Sequence, residues 1–214
     1  MAESLSSWIE RVRRLVAYQQ EAVGFLERVR QQFPLAMPQH APAVARLWLL
    51  ADEVDPFLCT LLEELNRGLL EGKGQVDTTR GAQVRQEGMP LGPGLEGVPG
   101  LSPQLLEGKE TMRYDCTWSL RWEPAKTVAV QLSVEPDSEV FRGVAMAHQA
   151  GLTRDVVCPI RSGERQRFEE GVRDALLECF ASEMVCAPGT SPPSPQPDVK
   201  ASPTRRRSHK RGSK

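Results

Sequence analysis

The chain has 214 residues, with 40% hydrophobic and 26% charged side chains and a formal net charge of -1. That length holds one ordinary domain or two small ones. It contains no run of eighteen apolar residues, and Glu3 and Glu10 stand where a secretory signal would carry cations and an apolar core, so neither a membrane span nor a secretory leader is expected. The near-neutral total hides an asymmetry: residues 199–214 carry seven cations and no acid, leaving -8 on the rest.

The five cysteines (Cys59, Cys116, Cys158, Cys179, Cys186) are odd in number and form no C-x-x-C pair. A disulfide framework or zinc site is therefore not expected. Reduced thiols fit a cytoplasmic protein, or a nuclear one in a eukaryote.

From Leu5 to Phe33 the apolar residues Leu5, Trp8, Ile9, Val12, Leu15, Val16, Val23, Leu26 and Val29 recur at steps of three and four. This predicts a helix of about four heptads, with Gln19 and Ala22 in the middle of its seam. Pro34 and Pro38 end it, because proline lacks a donor and clashes with the preceding turn. Pro42 suits the first turn of a second helix, whose stripe is Val44, Leu47, Trp48, Ala51 and Val54. Asp55-Pro56 reads as an N-cap followed by proline, hence a kink or a new helix. Phe57, Leu58, Leu61, Leu62, Leu65, Leu69 and Leu70 continue the apolar face until Gly72 and Gly74. Residues 1–72 are thus expected to be a helical association module, an antiparallel hairpin or small bundle.

Residues 73–111 are punctuated by Gly and Pro and show no sustained period, so a flexible linker is expected there. From Met112 to Glu123 the pattern changes. Met112, Tyr114, Cys116, Trp118, Leu120 and Trp122 alternate with polar residues, the mark of a strand with one buried face. A turn at Glu123–Lys126 leads to Val128, Val130, Leu132 and Val134, which alternate again and complete a hairpin.

Val140 to His148 reads as a third strand after the Pro136-Asp137-Ser138 turn, or as a helix capped by Asp137 or Ser138; the strand is preferred. Asp155–Ile160 reads as an edge strand because Pro159 cannot donate to a central ladder. Ser162–Glu183 reads as a helix with Phe168, Val172, Leu176, Cys179 and Phe180 inward. The expected fold class is α+β: a helical hairpin or bundle, then residues 112–187 as a four-stranded antiparallel meander with a C-terminal helix. Residues 188–214, Pro/Ser-rich and then basic, are expected to be a disordered tail.

Chemistry-bearing patterns are few. His40, His148 and His209 lie in no H-E-x-x-H context, and no G-x-S-x-G or phosphate-loop motif occurs, so no enzyme activity, cofactor or small-molecule ligand is expected. The tail residues Arg205, Arg206, Arg207, Lys210 and Arg211, with Arg161, Arg165 and Arg167 at the start of the last helix, are candidates for nucleic-acid contact. Ser202-Pro203 beside the cationic run is a candidate phosphorylation site that would offset its charge. Tyr114, Trp118 and Trp122 share a strand face and could serve as a stacking platform, but core is the simpler reading, and residues 112–187 sum to -3.

The leading expectation is a non-catalytic adaptor or assembly subunit. It would bind a protein partner or a second copy through Trp8, Val12, Leu15, Leu26, Trp48 and Phe57, because one helix pair cannot hide that much apolar area.

Overall fold

In the computed structural model, residues 5–87, 109–123, 125–160 and 164–186 are described. Helix α1 (Leu5–Arg30) turns through Pro34 and a short 3-10 segment at Pro38–His40 into α2 (Ala41–Leu69). The pair is antiparallel: Arg11 meets Glu53 at 3.0 Å, and the Phe25 ring meets Trp48 edge-on at 5.4 Å. Five strands follow, β1 (Gln75–Glu87), β2 (Lys109–Trp122), β3 (Lys126–Glu135), β4 (Val140–Ala147) and β5 (Leu152–Val156), then α3 (Arg165–Val185). The sheet is an antiparallel meander in chain order.

Helices α2 and α3 lie on one face of this sheet. Helix α2 packs on β1–β3 and α3 on β3–β5. Beneath them is the inward parity of β2, Met112, Tyr114, Cys116, Trp118, Leu120 and Trp122, all buried. Val128, Val130, Leu132 and Val134 of β3 are fully covered beside them. Burying one such aromatic ring contributes roughly 4–6 kcal/mol before entropy is counted, at about 25 cal/mol per Å². The Trp118 indole N–H is satisfied by donating to the Asp55 carboxylate at 2.8 Å, and Trp122 stacks on Phe180 of α3 at 5.0 Å. Tyr114, Trp118 and Trp122 are core, so none of these three rings is open as a stacking platform. α1 rests on α2 as a third layer.

Four expectations are corrected. The meander has five strands, because residues 75–87 of the expected linker are β1. Its inward parity, Val76, Thr78, Arg80, Ala82 and Val84, is too polar to show as alternation. Arg80 nevertheless faces inward, its guanidinium 4.9 Å from the Trp48 ring and 3.4 Å from Asp52. No new helix starts at Pro56, which lies inside α2, and Asp55 spends its carboxylate on Trp118 rather than on an N-cap. The edge strand is Leu152–Val156, with Pro159 beyond its end. The last helix starts at Arg165. Val140–Ala147 is a strand, and Gly143 fits it for a steric reason: a Cβ there would stand 2.8 Å from Val156 Cγ2 and 2.9 Å from the Val156 carbonyl oxygen. Residues 88–108 and the tail 188–214 lie outside the described residues.

Helix α3 is locked to the sheet by a fully buried carboxylate. Glu183 accepts the backbone N–H of Thr127 (2.9 Å), Gln149 (2.9 Å) and Ala150 (2.8 Å), tying the start of β3 to the β4–β5 turn. Three donors supply what water would have given the charge. Glu183→Ala leaves all three without a partner and is expected to cost at least about 3 kcal/mol in urea unfolding. Glu183→Gln, which keeps an acceptor oxygen, is expected to lose less.

Candidate interaction surface

At 100° per residue, α1 carries two apolar stripes rather than one. The first, Leu15, Tyr18, Ala22, Phe25, Leu26 and Val29, faces α2 and the sheet; Ala22 and Leu26 are completely covered. The second, Leu5, Ile9, Val12, Val16 and Val23, faces solvent, with exposures of 72%, 38%, 39%, 50% and 41%. Trp8, between the stripes, is 54% exposed. An apolar row of this length on a surface helix makes it a candidate interaction surface.

Beside this row runs a trough of about 380 Å³, lined by Trp8, Val12 and Leu15 of α1, Leu49 and Leu50 of α2, Phe141 and Ile160. Its cations are held by neighbours: Arg11 by Glu53, and Arg46 by Glu139 at 3.9 Å. Both pairs are exposed, so they orient the rim more than they stabilise it.

The six residues expected to bind a partner therefore divide. Trp8 and Val12 are exposed, and Leu15 lines the trough. Leu26 and Trp48 are core, and Phe57 is partly buried between the Phe168 ring at 6.3 Å and the Arg173 guanidinium at 5.0 Å. Trp48 is covered by α1, and Phe57 packs against α3. Leu49, Leu50, Phe141 and Ile160 were not anticipated. Phe141 could have been placed by the parity of its strand, but nothing in the sequence brings Ile160 to the first helix.

Of the candidate nucleic-acid contacts, Arg165 and Arg167 are exposed on the first turn of α3, and Arg165 is engaged by Glu169 at 2.9 Å. Arg161, Arg205, Arg206, Arg207, Lys210 and Arg211 lie outside the described residues. The sheet face away from the helices presents Arg113, Asp115, Thr117 and Ser119. There Asp115 is nearly buried, and burial raises its carboxyl above the usual range against the pull of Arg113. Gly81 opposite leaves it room, since a Cβ would stand 2.9 Å from Asp115 Oδ1.

Burial pushes the Cys116 and Cys158 thiols up to about 12, so both are protonated at neutral pH and poor nucleophiles. Among the described residues no three His, Cys, Asp or Glu side chains come together to hold a metal, and no helix is long and apolar enough to cross a membrane.

His40 sits where the α1–α2 connection meets the sheet. The Met37 N–H donates to its Nδ1 (3.3 Å), so that nitrogen carries the lone pair and also accepts the Tyr114 hydroxyl at 2.9 Å. The Nε2–H faces Asp137 at 3.4 Å. Desolvation lowers the His40 pKa, with Asp137 opposing. The chain matches no family model, no curated protein and no solved structure.

His40 yields a pH prediction. Protonation removes the Nδ1 lone pair and with it the bond from the Met37 N–H, and reverses the contact with the Tyr114 hydroxyl. The folded pKa lies below the unfolded value of about 6.5, so the unfolded chain binds more protons in that window. Stability is expected to be fully present above about pH 6.5 and to fall as pH drops toward the folded pKa. The slope of urea stability against pH should shrink in His40→Gln, which does not titrate; an unchanged slope would assign it to other groups.

Proposed function

We propose that this chain is a non-catalytic adaptor or assembly subunit that associates through the outer face of α1. The observation that carries this reading is the exposed row Leu5, Ile9, Val12, Val16 and Val23, continuous through Trp8 with the apolar trough. Covering such a row returns about 25 cal/mol per Å² and needs no change in the fold. The geometry suits an amphipathic helix laid along α1, whose anchors recur at three- and four-residue steps.

The test separates surface from core. Ile9→Glu combined with Val12→Glu alters exposed positions, so the folded state should stay within about 0.5 kcal/mol per site. Association, read by light scattering and by recovery of partner on the immobilised full-length chain, should weaken at least tenfold. Trp48→Ala should instead cost about 3–5 kcal/mol of stability, because it opens a cavity beneath α1. Association unaffected by the double charge substitution would refute the reading.

A further inference from the structure

We infer that the occupant of this face is α1 of a second copy of the chain, paired in parallel and in register as a two-stranded coil. The inference rests on the association reading above and names its partner. From Leu5 the outer stripe steps to Ile9, Val12, Val16, Gln19 and Val23, so spacings of four and three residues alternate without a break. That is a heptad seam, with β-branched Ile9, Val16 and Val23 in the a positions and Leu5, Val12 and Gln19 in the d positions. β-branched residues at a favour parallel two-stranded pairing.

Gln19 decides the partner and its direction. It is the only polar residue of the seam and is half-buried already. Against an apolar helix its amide would be covered with nothing to bond. Against itself, in register, two amides meet and satisfy each other, as single polar seam residues do in fixing register. An antiparallel pair sets Gln19 opposite Ile9 and leaves the amide stranded.

The flanks and the body agree. In the parallel pair, Arg13 of one copy comes beside Trp8 of the other, a cation over an exposed ring. Its present contact with Glu10 is long, 3.8 Å, and open to water, so Arg13 can swing across. The buried stripe lies about 110° round the helix from the seam, by 100° steps. A parallel axis then places the two bodies on opposite sides of the coil, whereas an antiparallel axis crowds them onto one side.

Leu5, Trp8, Ile9, Val12, Val16 and Val23 offer on the order of 600 Å² of uncovered side chain, somewhat below the ~800 Å² per partner of a standard stable interface. The dimer is accordingly reversible and concentration-dependent.

Sedimentation velocity of the full-length chain across a micromolar concentration series tests this. The mass should rise to twice that of the monomer, and Ile9→Glu with Val16→Glu should abolish the rise while the circular dichroism stays the same. For direction, Val12→Cys and Val16→Cys, which keep Gln19, are each oxidised with diamide beside the parent chain and its own cysteines. Each variant alone should give a new cross-linked dimer. Cross-linking only in a mixture of Val12→Cys with Val16→Cys chains would overturn the parallel register, and a dimer indifferent to the glutamates would overturn the seam. A chain monomeric throughout overturns self-pairing. If the glutamates then still remove a different protein bound to α1, the adaptor reading stands; if they remove nothing, both fall.

Discussion

Helix α2 has almost no wet face in its first three turns, and the architecture follows from that. Between Ala41 and Ala51 only Pro42 and Arg46 are exposed. A helix apolar all round must be enclosed, and a sheet can enclose only one side. Val44, Leu47, Leu58 and Leu62 are fully covered, while the opposite side, with Trp48, needs a lid. Helix α1 is that lid. The layering of sheet, α2 and α1 therefore comes from the composition of one helix, and the surface of α1 that remains is the surface of the protein.

The second consequence is that helices and sheet share one core. The cluster of buried residues runs from Ala22 and Leu26 of α1 through α2 and β2 to Leu176 and Phe180 of α3 without a gap. Arg80 illustrates how strand β1 joins it. Its charge would be costly on an inward position, yet Trp48 and Tyr18 offer ring faces at 4.9 and 5.8 Å, and Asp52 offers a carboxylate. The same Asp52 accepts the Tyr18 hydroxyl. One acid thus connects α1, α2 and β1, which stabilises the edge strand by coupling it to both helices.

These couplings explain what the sequence could and could not show. The hairpin β2–β3 was legible because each strand puts its large apolar residues on one parity, which is the buried one under the helices, and only Ala129 breaks the alternation in β3. Helix α3 was legible for a similar reason: Phe168, Val172, Leu176, Cys179 and Phe180 keep to one face, and Leu177 is the large apolar residue between them that stays exposed. Strand β1 was illegible: its inward positions include the polar Thr78 and Arg80, and Arg80 is held there by the rings of Trp48 and Tyr18, more than thirty residues away in the chain. Pro56 misled because a local cap signal lost to a long-range hydrogen bond from Trp118 to Asp55. The surface was half legible. Periodicity placed Trp8 and Val12 on a helix, but no periodicity says which of two adjacent stripes is the buried one.

What selects the buried stripe of α1 is shape and polarity. The inner stripe carries Phe25 and Tyr18, whose rings pack edge-on against Trp48 at 5.4 and 6.1 Å, and Ala22, small enough for close approach of the helices. Turning α1 by about 100° would replace these with Val16 and Val23, which cannot fill the space above Trp48. It would also pull Arg11 from Glu53 and Tyr18 from Asp52. At the far end, His40 holds the connection through the Met37 N–H and Tyr114, so α1 is constrained in rotation along its middle and anchored at its end. The outer stripe is therefore presented in a fixed orientation by residues that do not belong to it. A surface held that way needs no ordering of its own before it can be covered, so only that part of the entropy cost of association is already met when the chain folds.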